Sequence, residues 1–174
     1  MNTLWSNHAA ILGGDYLVAR ALELLTEYDS RALIAAALQA TRRMAEAIAE
    51  GLQEKGVQYT LRHMAIADHN DVVTEAFTAK ALVVGCPTHN GGLLPSIAPV
   101  LEDIRTLKLK NKVGAAFGSY GWSGESVKLI EENFAAAGIP LAAPGVRAKW
   151  QPATDDLAAC RELGRQVGAA VLAG

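Results

Sequence analysis

The sequence predicts an α/β domain, a parallel sheet with helices packed on both faces. Short, continuous apolar runs that end in glycine alternate with amphipathic segments of helical period. The runs are unbroken rather than alternating, as expected of strands buried on both sides. Glycine-rich loops follow two of them, at the strand ends where open α/β sheets hold ligands.

The elements follow in order. Residues 1–14 show no clear period. Residues 15–28 carry Leu17, Ala21, Leu24 and Leu25 at helical spacing behind Asp15, and predict a helix in an N-terminal extension of residues 1–30. Residues 31–174 form the main domain. Its first stretch, residues 31–41, has two readings. The alternation of elements makes residues 32–35 a first strand and 36–40 a loop. Alanine and leucine favour helix, however, and Ser30 can cap one continuous helix over 31–55. Residues 44–55 are helical in either case, with Met44, Ile48 and Leu52 on one stripe and Gly56 as the stop.

Residues 57–63 alternate apolar and polar, as a strand does, and 68–76 read as a capped short helix. Ala81-Leu82-Val83-Val84-Gly85 is a buried parallel strand. Residues 93–107 read as a helix with Pro95 in its first turn, and 112–117 as another strand. Residues 123–137 are helical and stopped by Gly138. Residues 139–147 are extended and punctuated by Pro140 and Pro144. Residues 155–172 form a last helix with Leu157, Cys160, Leu163, Val167 and Val171 inward.

Composition narrows the function. The chain has 174 residues, 51% hydrophobic and 20% charged, with a net charge of −2, which excludes a disordered chain and gives no basic excess for nucleic acid or an anionic membrane. No apolar run is long enough to cross a bilayer, and no basic, apolar leader opens the sequence. Two cysteines, Cys86 and Cys160, make no disulfide framework. The expectation is a cytoplasmic protein without membrane or nucleic-acid partners.

Several chemistries lack their residues. There is no phosphate-binding G-x-x-x-x-G-K-[ST] loop and no dinucleotide G-x-G-x-x-G motif. His8, His63, His69 and His89 are scattered, so no metal site is expected. Gly121-Trp122-Ser123-Gly124-Glu125 misses the nucleophile elbow by its last residue, and Ser123 reads as a helix N-cap. No catalytic residue is assigned.

Two loops remain. Gly85-Cys86-Pro87-Thr88-His89-Asn90-Gly91-Gly92 offers backbone N–H groups, a hydroxyl and an amide to the edge of a flat heterocycle; it also reads as an ordinary β–α loop. Phe117-Gly118-Ser119-Tyr120-Gly121-Trp122-Ser123-Gly124 packs three aromatics and three glycines into eight residues, stacking faces beside an approachable backbone. Alternatively, Phe117 is strand core and Trp122 packs on the next helix. Cys86 reads as a packing residue and Trp150 as a surface-strand aromatic. The run Lys108-Leu109-Lys110-Asn111-Lys112 reads as a solvated loop that could also dock an acidic redox partner.

At these loops the sequence resembles the flavodoxin-like domain of flavodiiron proteins, the A-type flavoproteins, over about residues 31–172. The resemblance implies a flavodoxin-like, doubly wound sheet of five parallel strands that holds FMN. It implies that Pro87, Thr88, His89, Asn90 and Gly91 border the flavin ring. Phe117, Gly118, Ser119, Tyr120, Gly121, Trp122 and Gly124 match the second flavin loop. Two departures stand out. The histidine and carboxylate motif of the family's di-iron domain has no counterpart in residues 1–30, so this chain is not expected to reduce oxygen or nitric oxide alone. The Ser/Thr-rich turn that holds the FMN phosphate is here residues 35–41, shortened by about two residues and with Thr41 as its one hydroxyl. The implied function is an FMN-dependent electron-transfer module, an oxidoreductase component working with a redox partner protein or as a homo-oligomer. The alternative is a non-catalytic remnant or interaction domain with weak or lost FMN binding. A flavin-dependent quinone reductase has no specific support.

Overall fold

The computed structural model describes residues 30–174. The expected helix over residues 15–28 lies outside them. The chain divides into two compact units, 1–36 and 37–174. The second contains the sheet and both cores.

The described residues form five helices and three strands in the order α1 (Ser30–Glu54), α2 (His69–Thr78), β1 (Ala81–Gly85), α3 (Ala98–Leu107), β2 (Val113–Tyr120), α4 (Glu125–Ala137), β3 (Val146–Lys149) and α5 (Thr154–Ala173). The strands are parallel in the order β1-β2-β3. The α/β class and the flavodoxin-like layering are as expected. The strand count is not: the described residues form three strands where five were expected.

Two stretches expected as strands take other conformations. Residues 32–35 are helical, because α1 runs unbroken through them. Alanine and leucine lose little entropy in a helix, and no β-branched run opposes it before Thr41. Residues 57–63 are irregular rather than a strand. Their alternating pattern is not taken up in a ladder. Among the described residues β1 therefore has a strand neighbour only in β2. All five of its residues are half-buried, although Ala-Leu-Val-Val-Gly is the composition of a fully covered strand.

Local signals set the other elements. Asp68 caps α2, its carboxylate accepting from the N–H groups of Asn70 and Asp71 at 2.8 and 3.2 Å. The expected helix over 93–107 begins only at Ala98, and Pro99 rather than Pro95 sits in its first turn. Gly138 ends α4 at φ 76°, a left-handed cap that glycine adopts without strain. The extended stretch after it meets β2 twice. Gly114 donates to Pro140 and accepts from Ala142, and Phe117–Tyr120 then pairs with β3.

Side chains of β2 alternate between two cores. Ala115 and Phe117 join Met44, Ile48 and Leu52 of α1 and Cys160, Leu163 and Val167 of α5. Ala116 faces the opposite core, with Leu101 and Ile104 of α3 and Val127, Ile130 and Phe134 of α4. The stripes read over residues 44–52 and 157–171 pack into the first of these cores, while that of residues 17–25 lies outside the described residues. Two residues of the basic run are also buried, Leu109 in the core and Lys112, which donates from Nζ to the carbonyls of Phe77 and Ala79, at 3.0 and 2.5 Å, closing the C-terminus of α2. Burial holds its amine below the usual lysine range. Lys112 is therefore not part of a solvated docking patch, whereas Lys108 and Lys110 are exposed.

Candidate functional site

The two glycine-rich loops emerge side by side at the C-terminal ends of β1 and β2. Their spacing is fixed by hydrogen bonds that continue the sheet. Cys86 N–H donates to Phe117 O at 3.1 Å and Thr88 N–H to Ser119 O at 2.8 Å. Gly118 makes the approach possible, since a methyl there would sit 2.2 Å from the Cys86 carbonyl oxygen. The Ser126 hydroxyl, buried at the start of α4, donates to Cys86 O at 2.8 Å and accepts from Thr88 Oγ1 at 2.9 Å. The Thr88 hydroxyl is thus committed to holding the loops together.

Beyond Thr88 the first loop turns through His89–Gly92, whose backbones exchange two hydrogen bonds. Asn90 and Gly91 take left-handed conformations at its tip, φ 50° and 69°. The pairing of Tyr120 with Lys149 and the bond from Trp150 N–H to Tyr120 O, 2.7 Å, bring Trp150 against the second loop. A methyl on Gly121 would lie 2.9 Å from the Trp150 indole, so the ring rests on that glycine's backbone. The Tyr120 ring covers Gly124 in the same way.

The result is a cavity of about 400 Å³ lined by Thr88, Asn90, Gly91, Gly121, Trp122, Ser123 and Trp150. That is room for a drug-sized planar ligand. Trp122 is 93% exposed and Trp150 63%, two large apolar surfaces left in water at one opening. Trp122 does not pack on the following helix. No lining residue is charged. The Ser123 hydroxyl donates to the Glu125 carboxylate at 2.7 Å, and Gly124 at φ 79° rather than Ser123 is the N-cap of α4.

Of the residues expected to touch a cofactor, Thr88, Asn90, Gly91, Gly121 and Trp122 line this cavity. Gly118, Tyr120 and Gly124 do not line it; Gly118 lets the loops approach and the Tyr120 ring packs on Gly124. His89 is half-buried in the turn behind it, and Pro87 is buried. Phe117 is core, its ring lying over Gly85. Thr41 and Ser119 are buried and aimed at each other: their hydroxyl oxygens are 3.0 Å apart, and each donates in turn to Ala37 O, at 3.1 and 3.2 Å. Trp150 and Ser123 were missed as lining residues. The aromatic after a short strand was the available signal for Trp150, but its partner Gly121 is remote in sequence.

The donor set fits an aromatic ring and not a phosphate. A phosphate seat at residues 35–41 needs free N–H groups at a helix start. Here Thr41 is well inside α1, so its N–H and those of Arg42 and Arg43 are bound to carbonyls one turn earlier. Arg42 is exposed and paired with Glu46. Thr41, expected as the one hydroxyl of the phosphate turn, therefore has no helix start beside it.

Both thiols are inert by environment. Cys86 Sγ accepts from Leu94 N–H and donates to Pro87 O, and burial pushes its pKa up. Burial, with Asp156 nearby, pushes the Cys160 thiol up to about 12. Among the described residues no group of histidine, cysteine and carboxylate side chains could hold a metal ion. No described helix is long and apolar enough to cross a membrane.

Comparison with known proteins agrees with this architecture. The flavodoxin family pattern matches residues 37–164. A nitric oxide reductase of Moorella thermoacetica is 44% identical over 132 residues, 75% of this chain and 33% of that protein. An anaerobic nitric oxide reductase flavorubredoxin of Aeromonas hydrophila is 41% identical over 129 residues, 73% of this chain and 26% of its own. The chain thus spans about a third or less of these relatives, over their flavodoxin-like part. Among solved structures, rubredoxin oxygen:oxidoreductase of Desulfovibrio gigas superposes with a TM-score of 0.75 at 35% identity, covering 77% of this chain and 33% of that one. A flavodoxin from the domain Archaea gives 0.68 at 30% identity, covering 76% and 91%. Sequence pattern, strand order and the paired glycine-rich loops all lead to one family: this chain belongs to the flavodoxins, as a module resembling the flavin domain of flavodiiron proteins.

Proposed function

We propose that this chain binds a flavin between its two glycine-rich loops and passes electrons to or from a protein partner. The observation that carries this reading is the uncharged cavity between Asn90-Gly91 and Gly121-Trp122, with Trp122 and Trp150 exposed at its opening. Exposed indoles stack well on a flat heteroaromatic system. Among the described residues, the two hydrogen bonds that close this turn are made by His89 and Gly92, not by the N–H groups of Asn90 and Gly91 at its tip. FMN is the family's cofactor, and when bound the flavin supplies one- and two-electron chemistry. The residues of this chain position the ring, exclude water from one face and set its surroundings.

The reductions named for the relatives belong to longer proteins, of which this chain matches a third or less, and this chain would enter such a process only as an electron-carrying part. Exposed Lys108 and Lys110 offer an acidic redox protein a surface for encounter. A second reading is a non-catalytic interaction module. The burial of Thr41 and Ser119 against each other favours it, because it removes the hydroxyl expected to hold phosphate.

Titration with FMN, followed by quenching of flavin fluorescence, tests the reading. Saturable one-to-one binding and a bound flavin that dithionite reduces and air reoxidises are expected. No saturable binding at concentrations up to about 1 mM, where even a contribution of roughly 4 kcal/mol is visible, selects the interaction module instead.

A further inference from the structure

We infer that the cavity recognises the uncharged isoalloxazine ring alone, so that this chain takes phosphate-free flavins as well as FMN. The proposal rests on the flavin reading above and names the ligand class of that site. Three independent observations carry it.

The N–H groups of Thr41, Arg42 and Arg43, which would greet an anion at a helix start, are internal to α1. The Thr41 hydroxyl is turned onto Ser119 and Ala37, and both hydroxyl residues are more than nine-tenths buried. The cavity itself is lined by no lysine, arginine or histidine, and its Ser123 hydroxyl is bonded to the carboxylate of Glu125. Among the described residues, none that lines the cavity offers a flavin's phosphate a charged donor. Its charge then adds nothing to binding, while the ring still gains the faces of Trp122 and Trp150.

Parallel titrations of the whole chain with FMN, riboflavin and lumiflavin decide it, read by flavin fluorescence and by tryptophan quenching. FMN and riboflavin are expected to bind within fivefold of each other. FMN affinity is expected to change by less than twofold between roughly 0.05 and 0.5 M salt, since no cation is paired with the phosphate. Trp122→Ala, at a fully exposed position that the fold does not use, is expected to weaken all three ligands by a similar factor.

A preference for FMN over riboflavin above fivefold overturns the proposal and leaves the flavin reading standing. One charge-assisted hydrogen bond to phosphate would already give about tenfold or more. A steep loss of FMN binding with salt, with riboflavin unaffected, overturns it in the same way. If none of the three ligands binds, the inference and the flavin reading fail together.

Discussion

Replacing Thr41 with valine removes one hydroxyl and keeps the branched shape. In the native chain that oxygen is 3.1 Å from Ala37 O and 3.0 Å from Ser119 Oγ, and the Ser119 hydroxyl is itself 3.2 Å from Ala37 O. After the change Ser119 still reaches Ala37 O, so no buried group is left without a partner. The loss is then one neutral buried hydrogen bond with no added desolvation cost, about 1 kcal/mol net. For a domain of this size that lowers Tm by about 2–4 °C. Helix propensity contributes little, because threonine and valine are close in rank. Ser119→Ala is expected to cost a similar amount. The double variant should fall short of the sum by about 0.5 kcal/mol or more, since the two side chains share the contact. Thermal and urea unfolding by circular dichroism measure all four proteins, and flavin titration is run on each. FMN affinity is expected to stay within twofold of native, because neither hydroxyl lines the cavity. A fivefold loss of FMN affinity in Thr41→Val with riboflavin unchanged would show that Thr41 holds phosphate, and would refute the reasoning.

Three other outcomes are expected. Gly118→Ala places a methyl 2.2 Å from a backbone oxygen that cannot move without opening the two loops; a loss of about 2–3 kcal/mol in urea unfolding is expected, together with weaker flavin binding. Lys112→Met keeps the stem but leaves the carbonyls of Phe77 and Ala79 without their ammonium donor; about 1.5–3 kcal/mol should be lost, with faster amide exchange in the last turn of α2. Alkaline stability should follow the thiols. The folded Cys160 stays protonated up to about 12, while an unfolded thiol ionises near its ordinary 9.0. The unfolded state therefore binds fewer protons above pH 9, and this stabilisation is complete below that pH and lost as pH rises toward 12. The slope approaches about 1.4 kcal/mol per pH unit for this group. Urea midpoints at pH 8 and 10.5 should fall further apart in the native chain than in Cys160→Ala; equal differences would remove Cys160 as the cause.

Much of this protein was determined within short stretches of sequence. The α/β class, the strand β1 ending at Gly85, the presence of β2 (though it runs on past Phe117 to Tyr120), the Asp68 and Gly138 caps and the inward stripes of α1 and α5 follow from propensity and periodicity over one or two turns. The two loops that bound the cavity were legible for the same reason: each is continuous in sequence, and strand ends are where such loops collect.

What only the tertiary structure decided involves residues far apart. Alanine and leucine at 32–38 suit a helix locally, and a sheet edge would have been needed to draw them into a strand. Residues 57–63 alternate as a strand does yet join no ladder, so local pattern did not decide their course. Trp150 reaches Gly121 only because β3 pairs with β2 in the register that sets Lys149 beside Tyr120. Thr41 and Ser119 lie 78 positions apart, and their hydroxyls meet only once α1 is packed on the Ala115–Phe117 face of β2. Local sequence sets the torsions of each element. Which hydroxyl faces the ligand and which is consumed within the fold is set by packing between elements, and no window of neighbouring residues carries that information.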